Sequence, residues 1–293
     1  MTDTPEAVSL DPRIHPWRAD LAAAHLKGSV TAERFVEGVP CQIRTGFAAL
    51  TETPDFDGRQ SSQLLFGEVF TVYEERDGWV WGQNGTDGYV GYLRLEALDA
   101  EVRTPTHTVT ALRSYVYPEP DLKTPPLDLL SLESRLSVTG QSGGGRGQQA
   151  GWLELATGGW IFAGHAAALP APPADPVDTA LRLLGTPYLW GGRTSLGLDC
   201  SALVQLALAA AGLPCPRDSD MQAASVGTLV SPDGRGHAFH RGDLVFFPGH
   251  VGIMADADDL IHANAFHMEA VREPLAAVLA RAGDKGITAV RRL

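Results

Sequence analysis

Hydrophobic and polar residues follow two patterns along the chain, and the pattern changes near residue 170. Before that point, short runs rich in Val, Phe, Trp and Tyr alternate with Asp-Gly and Asn-Gly pairs. Runs of this length between turn residues predict β-strands joined by tight turns. The clearest runs cover residues 62–66, 69–74, 79–83 and 89–93. They predict a small all-β unit that begins near Thr31.

The β pattern recurs once further along the chain. The segments GWV at 78–80 and GYV at 88–90 are echoed by GWL at 151–153 and GWI at 159–161. Such a repeat predicts two tandem barrels, because a closed antiparallel sheet buries its apolar face without open edges. We place the first barrel at residues 31–101 and the second at 102–170. Residues 1–30 contain an Ala-rich run at 20–27, which predicts a short N-terminal helical brace.

A proline-rich segment, residues 171–176, separates the predicted barrels from the rest of the chain. Proline fixes φ, so this segment is expected to be a stiff linker. Beyond it, residues 177–184 and 201–211 have helical patterns. Residues 243–247 and 250–255 predict two strands joined by a Pro248-Gly249 turn, and residues 260–264 predict a third. We therefore expect residues 177–293 to form an α+β domain.

Composition and charge exclude several classes of protein. The 293 residues are 44% hydrophobic and 20% charged, which is typical of a folded chain. There are 23 Lys and Arg against 35 Asp and Glu, a net charge of −12, so binding to nucleic acid or to an anionic membrane surface is disfavoured. The longest apolar stretch, residues 202–213, is shorter than the about 20 residues that span a bilayer. The first residues lack the features of a secretory signal, so we expect a cytoplasmic protein.

One of the three cysteines has surroundings that suit catalysis. Cys41, Cys200 and Cys215 are expected to be free thiols, because an odd number at irregular spacing suits neither a disulfide framework nor a zinc site. Cys200 opens the apolar helix behind Asp199, its expected N-cap, and the N-terminus of a helix favours a thiolate. On spacing alone, a small buried cysteine is an equally good interpretation.

Two histidines could complete a catalytic group with Cys200. His250 begins one predicted strand and His262 lies in the next, where antiparallel pairing can bring them side by side. A cysteine nucleophile needs a base, and the base needs an orienting partner. In this arrangement His250 takes the thiol proton and His262 holds the imidazole of His250 in one tautomer. A single histidine at a strand end is more often structural, but a pair on adjacent strands is less easily explained that way.

Five short segments together resemble the NlpC-type family of bacterial cell-wall cysteine peptidases, which are papain-like in fold. They are PYLWGG at 187–192, LDCSALV at 198–204, RGDLVFF at 241–247, GHVGI at 249–253 and IHA at 261–263. The resemblance covers roughly residues 175–293. It implies Cys200 as nucleophile, His250 as general base and His262 as the third member. It also implies that Tyr188, Trp190, Asp199 and Ser201 line the site.

The two predicted barrels ahead of this domain resemble a subgroup, the γ-D-glutamyl-L-diamino acid endopeptidases, also called dipeptidyl-peptidase VI. In that subgroup an acidic residue and a tyrosine from the first SH3-like barrel hold the free amine of the peptide's L-Ala, which implies Glu68 and Tyr89 here. Without the resemblance, Glu68 is interpreted as a solvated turn charge and Tyr89 as a core aromatic. Asp218 and Ser219 are implied to bind the D-Glu portion, and either is equally well interpreted as a helix N-cap.

The expected protein is a cysteine endopeptidase without metal or cofactor. Its expected substrate is a murein tripeptide or tetrapeptide with a free N-terminal L-Ala, cut between D-Glu and the diamino acid during peptidoglycan recycling. Two alternatives stay open at this point: a non-catalytic module that binds wall peptides, and an amidase or acyltransferase that uses the same three residues. The sequence does not distinguish diaminopimelate from lysine at the diamino acid position, nor does it predict an oligomeric state.

Overall fold

The computed structural model describes residues 10–143, 150–236 and 238–293. A short N-terminal segment and two β units precede a C-terminal unit of mixed helices and strands. The expected helical brace at residues 20–27 is wrong: that run forms strand β1 (Leu21–Ala23) and a 3₁₀ turn (Ala24–Leu26). β1 pairs in parallel with β2 (Arg34–Val36), so its backbone groups are satisfied by a neighbouring strand and not by a helix.

The first β unit, residues 39–99, is a seven-stranded antiparallel sheet around its own apolar core. Its strands are β3 (Val39–Ile43), β4 (Phe47–Thr51), β5 (Gln60–Leu65), β6 (Val69–Arg76), β7 (Trp79–Asn84), β8 (Val90–Arg94) and β9 (Leu98–Asp99). The strand order across the sheet is β5-β4-β8-β7-β6-β3-β9. The predicted runs at residues 62–66, 69–74, 79–83 and 89–93 all lie within or beside these strands.

The second β unit, residues 107–168, has a separate apolar core. Its strands are β10 (His107–Val109), β11 (Arg113–Tyr117), β12 (Asp128–Ser131), β13 (Arg135–Leu136), β14 (Val138–Ser142), β15 (Trp152–Leu155), β16 (Trp160–Phe162) and β17 (Ala166–Ala168). They form sheets ordered β12-β11-β16-β15-β14 and β13-β10-β17. The repeated tryptophans occupy matching places, because Trp79 begins β7 and Trp152 begins β15.

The C-terminal unit, residues 176–292, packs a central helix against a six-stranded sheet. Its helices are α1 (Pro176–Arg182), α2 (Cys200–Ala210), α3 (Ser219–Ser225) and α4 (Leu275–Ala282). Its strands are β18 (Arg193–Thr194), β19 (Gly197–Leu198), β20 (Thr228–Ser231), β21 (Leu244–Phe247), β22 (His250–Met254), β23 (Asp259–Asn264), β24 (Glu269–Pro274) and β25 (Ala289–Arg292). The large sheet has the order β20-β25-β21-β22-β23-β24.

The elements expected in the C-terminal unit are confirmed to within about two residues, and α3 follows Asp218 as the N-cap interpretation required. The helix α4 and the strands β18, β19, β20, β24 and β25 were not expected. Proline at the first position of α1 and Asp175 as its N-cap explain the start of that helix. The central helix α2 is buried from Cys200 to Leu208, so it forms the core on which the sheet packs. In the described ranges, no helix has the length and apolar character needed to cross a membrane.

Candidate active site

Cys200 is the first residue of α2, and the chain enters this helix through an aspartate N-cap. The Oδ1 atom of Asp199 accepts a hydrogen bond from the Ala202 N–H at 2.9 Å, as the sequence predicted. The preceding Gly191 adopts φ of 69°, and a Cβ there would lie 3.0 Å from the Gln60 carbonyl oxygen in the first β unit. A glycine therefore suits both the left-handed backbone and the close approach of β5.

The sulfur of Cys200 lies in a nearly closed environment. Cys200 is only 8% exposed, and backbone N–H groups of Val251 and Ser201 hydrogen-bond to its sulfur. Burial, followed by the negative charge of Asp199, raises the pKa of the thiol to about 12. The expectation that the helix N-terminus by itself stabilises a thiolate is therefore corrected. Burial raises the thiol pKa by more than the N–H groups of Val251 and Ser201 lower it, so the thiol is neutral near pH 7.

A two-residue hairpin turn places His250 next to Val251, whose backbone N–H binds this sulfur. Strands β21 and β22 pair antiparallel, with Phe247 opposite His250 and Pro248-Gly249 between them. Gly249 has φ of 69°, a conformation that glycine adopts at little cost at the third position of a turn that has proline second. Because the N–H of Val251 binds the sulfur, the residue before it, His250, stands at the same end of β22 as the thiol.

His250 and His262 are in direct contact. Strands β22 and β23 pair antiparallel, and the Nε2 atom of His250 lies 2.8 Å from Nδ1 of His262. Burial, followed by the proximity of His262, lowers the pKa of His250 to about 4, and burial also lowers the pKa of His262. Both imidazoles are therefore neutral near pH 7. The predicted side-by-side placement of the two rings is confirmed, whereas their catalytic roles stay a prediction.

Two residues that the sequence did not single out continue the line of contacts beyond His262. The Nε2 atom of His262 lies 2.8 Å from Oε1 of Glu273, on β24. Arg281, on α4, binds both carboxylate oxygens of Glu273, with Nη1 to Oε2 at 2.8 Å. Burial raises the pKa of Glu273, but the hydrogen bonds from Arg281 and His262 outweigh it and lower the pKa to about 2. Neither β24 nor α4 was predicted, so no local signal pointed to this pair.

Asp199 and Ser201 flank Cys200, and their expected place in the lining of the site stays a prediction. Both are buried and bound to Arg217, whose side chain is 1% exposed. The guanidinium donates to both carboxylate oxygens of Asp199, at 3.0 and 2.6 Å, and to Oγ of Ser201 at 2.8 Å. Its Nε also donates to Oγ of Ser62 in the first β unit, at 2.9 Å. Arg217 thus holds the start of α2 against the first β unit, and the side chains of Asp199 and Ser201 are occupied by that contact.

Glu68 does not reach the site as an amine ligand, and this expectation is corrected. Glu68 is 5% exposed, and its carboxylate forms a two-point ion pair with the buried Arg193, at 2.7 and 2.8 Å. One of its oxygens also accepts from the Leu65 N–H at 2.8 Å. Arg193 donates further to Oε1 of Gln205 on α2, at 2.6 Å. The carboxylate is used for the contact between the first β unit and the C-terminal unit.

Tyr89 and Asp218, predicted as substrate ligands, lie together. The Tyr89 hydroxyl donates to Oδ2 of Asp218 at 3.0 Å, and Arg13 from the N-terminal segment donates to the same oxygen at 2.8 Å. Burial raises the pKa of Asp218 above its usual value. Asp218 precedes α3 but makes no side-chain capping bond, and Ser219 is the first helical residue, so neither side chain serves as the N-cap. Ser219 lines a surface groove with Pro248 and Gly249, the two residues before His250.

Tyr188 and Trp190 border the site from the loop before β18. Burial raises the pKa of Tyr188 to about 12, and the ring packs against the apolar core that contains Cys200. Trp190 is 63% exposed, and its carbonyl oxygen accepts from Nε2 of Gln60 at 2.8 Å. This arrangement suits a wall residue at Tyr188 and an exposed rim residue at Trp190. Both roles stay predictions.

The comparisons with known proteins agree with this geometry. Residues 185–277 match the family model described as NlpC/P60 family, and residues 50–98 match the one described as bacterial dipeptidyl-peptidase Sh3 domain. The chain is 27% identical over 242 residues to dipeptidyl-peptidase 6 of Lysinibacillus sphaericus, covering 74% of this chain and 84% of that protein. It is 28% identical over 206 residues to gamma-D-glutamyl-L-lysine dipeptidyl-peptidase of Bacillus cereus, covering 64% of this chain and 59% of that protein.

A solved structure supports the fold. The crystal structure of an NlpC/P60 family protein from Bacillus cereus aligns with a TM-score of 0.71 at 21% identity, over 86% of this chain and 99% of that chain. An identity this low shows a shared fold and nothing further. Together, the matched regions and the peptidase names of the relatives make this chain a cysteine peptidase that carries an NlpC/P60 domain and a bacterial SH3 domain.

Proposed function

We propose that this peptidase hydrolyses the bond between γ-D-glutamate and an L-diamino acid in murein peptides that carry a free N-terminal L-Ala. The observation that carries the proposal is the contact between His250 and His262 at 2.8 Å, next to a sulfur that the Val251 N–H binds. The relatives named for dipeptidyl-peptidase activity, one of them toward γ-D-glutamyl-L-lysine, support the choice of bond.

In the proposed reaction, the neutral thiol loses its proton as it attacks. His250 takes the proton of Cys200 while the sulfur bonds to the carbonyl carbon of the γ-amide. Backbone N–H groups at the start of α2 are suited to hold the negative oxygen that forms. His250 then gives the proton to the departing amine, and water hydrolyses the thioester. We propose that proton transfer and attack occur together, because burial raises the pKa of the thiol and lowers the pKa of the imidazole.

We propose a revised site for the free amine. The buried Arg193 binds both carboxylate oxygens of Glu68, whereas the hydrogen bonds that Asp218 accepts from Tyr89 and from the partly exposed Arg13 both go to one oxygen, Oδ2. An ammonium group binds best to a partly buried carboxylate that has a second polar group beside it. Asp218 follows Arg217, whose side chain binds the N-cap of α2, the residue before the nucleophile. A requirement for a free amine would restrict cleavage to released peptides, in keeping with the predicted recycling role and cytoplasmic location.

We infer that the second β unit is also an SH3-like barrel. If β13 and β14 are taken as one interrupted strand, the strand order of the second β unit is β12-β11-β16-β15-β14/β13-β10-β17. This matches the first unit strand for strand, and a 3₁₀ turn precedes the last strand in both, at Leu95–Ala97 and at Ala163–His165. Ser195 next to β18 bonds to Ser131 and Leu112 of this unit, which supports a scaffolding role for it.

The test is turnover of L-Ala-γ-D-Glu-diaminopimelate and of its lysine counterpart. Cys200→Ala is expected to lower kcat by at least about 10⁴-fold, because the covalent step is lost. Cys41→Ala, which removes a different free thiol in β3, serves as the matched control and is expected to retain activity. Undiminished turnover by Cys200→Ala would reject the proposal. Adding a competing amine and analysing products separates hydrolysis from acyl transfer.

Alkylation rates do not replace the turnover test. The buried thiol has a raised pKa, so slow alkylation near pH 7 is expected of the active enzyme as well as of an inert binding module. Because the comparisons make the chain a peptidase, the binding-module alternative is set aside.

A further inference from the structure

We propose that Glu273 is a positioning residue that fixes the proton arrangement of His250 and His262. Acting through His262, it makes Nδ1 of His250 the basic nitrogen available to Cys200. The kinetic part of this proposal rests on the proposed function, whereas its structural part can be measured without any substrate.

The contact between the two rings can hold only one proton. Nε2 of His250 and Nδ1 of His262 are 2.8 Å apart, so one of these nitrogens donates and the other accepts. Both rings are neutral near pH 7, so each carries one N–H in total. Choosing the protonated nitrogen of His262 therefore also chooses that of His250.

Two side chains compete for the far nitrogen of His262. Oε1 of Glu273 lies 2.8 Å from Nε2 of His262, and Nδ2 of Asn264 lies 3.0 Å from the same atom. The amide of Asn264 has a fixed orientation, because its Oδ1 accepts from the His267 N–H at 2.8 Å. Its NH₂ group therefore points at His262. Glu273 favours a proton on Nε2, whereas Asn264 favours a lone pair there.

The carboxylate prevails in this competition because it is ionised. Arg281 binds both of its oxygens, and the pKa of Glu273 is lowered to about 2, so Glu273 can only accept. A hydrogen bond to a charged acceptor is roughly twice as strong as a neutral one. Arg281 is itself held over the ring of Phe266, with Cζ 4.6 Å from the ring centroid. The Nε2 atom of His262 therefore keeps its proton.

The position of the proton on His262 determines which nitrogen of His250 has a lone pair for the thiol proton. With Nε2 protonated, Nδ1 of His262 has a lone pair and accepts from Nε2–H of His250. His250 then has its own lone pair on Nδ1, which is the atom that must receive the proton of Cys200. With the opposite arrangement, His250 would present an N–H on Nδ1 and could not act as a base toward the thiol.

The first measurement is the tautomer of each histidine, read from ¹⁵N NMR of the full chain. Wild type is expected to show the proton on Nε2 of both His250 and His262. In Glu273→Gln, the charged acceptor is gone and Asn264 still donates, so we expect His262 to move its proton to Nδ1. Wild type with the proton on Nδ1 of His262 would overturn the proposal directly, whatever the substrate proves to be.

The second measurement is the pH profile of kcat for the dipeptidyl substrate. Glu273→Gln is expected to lower kcat by about 10²-fold or more, the size of a general-base contribution. Glu269→Gln, the same change at an exposed residue of the same strand, is the matched control and is expected to stay within about twofold. Glu273→Gln with wild-type kcat and an unchanged tautomer would refute the proposal.

A second variant tests the same arrangement of protons on His250 and His262 without altering Glu273. Asn264→Asp keeps the acceptor for the His267 N–H and replaces the competing donor with a carboxylate. The charged and titratable groups that face the two rings are Asp199, Glu273, Arg281 and His267. A further anion beside His262 favours the protonated imidazole, so the acid limb of the pH profile is expected to move to higher pH. An acid limb that does not move, or that moves to lower pH, contradicts the proposal even if Glu273→Gln fails to fold. Loss of all turnover with the predicted tautomers intact would instead count against the proposed function.

Discussion

Removing Arg193 is expected to destabilise the protein far more than removing an exposed arginine. Arg193→Met leaves the buried carboxylate of Glu68 with only the Leu65 N–H, and leaves Oε1 of Gln205 without its donor. Breaking a buried ion pair by deleting one partner costs about 3–5 kcal/mol, and an unsatisfied amide oxygen adds about 1 kcal/mol. We therefore expect a loss of about 4–6 kcal/mol in the free energy of unfolding.

The assay is equilibrium urea unfolding followed by tryptophan fluorescence. With a slope of about 3 kcal/mol per molar urea, the expected loss moves the midpoint down by more than about 1 M. The matched control is Arg241→Met, which breaks two exposed ion pairs, with Asp175 and Asp178, and is expected to cost about 1 kcal/mol. The double variant Arg193→Met with Glu68→Leu is expected to be more stable than Arg193→Met, because no charge is then left buried and unpaired.

The urea midpoints also distinguish a structural role of Glu68 from a role in binding the substrate's amine. If Glu68 held the substrate's amine, Glu68→Leu would raise KM and leave the urea midpoint unchanged. The structure instead predicts a lower midpoint for that variant, because the guanidinium of Arg193 is then buried without its carboxylate. An Arg193→Met protein that unfolds at the wild-type urea concentration would refute the reasoning, since the ion pair would then contribute nothing to stability.

Four further outcomes follow from the site. Burial lowers the pKa of His250 to about 4, so the acid limb of kcat/KM is expected nearer pH 4 than 6.5, and a limb at 6.5 would contradict this. Between pH 4 and 6.5 the imidazole of His250 binds more protons in the unfolded chain than in the folded one. The free energy of unfolding should therefore fall as the pH is lowered from about 6.5 to 4, and should change no further below pH 4. Urea midpoints measured across this pH range for wild type and for His250→Gln check this trend. Asp218→Asn is expected to raise KM about tenfold for peptides with a free amine and not for N-acetylated ones, and an equal effect on both would rule out the amine site. Arg217→Lys loses the two-point contact with Asp199, so both the urea midpoint and kcat are expected to fall, whereas unchanged values would show that the N-cap needs no such support.

Local sequence patterns were enough to predict the helix and strands that carry the proposed catalytic residues. The apolar run after Asp199 predicts α2 and its N-cap, and the Pro248-Gly249 turn predicts the hairpin that begins at His250. Alternating strands after that turn predict the contact between His250 and His262. These signals succeed because each depends on residues a few positions apart, whose backbone preferences act locally.

Local pattern failed where a distant partner decides the outcome. The run at residues 20–27 has helical composition, yet β1 pairs with β2 instead. Glu68 looks like an exposed turn charge until Arg193, 125 residues later, neutralises it. Charged residues are seldom fully buried, so nothing near Arg193 or Arg217 in the sequence predicts that they are buried.

By itself, the sequence determined which residues could perform the chemistry and on which elements they lie, because helix starts, turns and strand alternation depend on neighbouring residues. Only the tertiary structure decided which charges hold the units together and which remain near the thiol. It also decided the protonation of the thiol and the imidazoles, because burial and long-range ion pairs set those pKa values, and both arise only when the chain has folded.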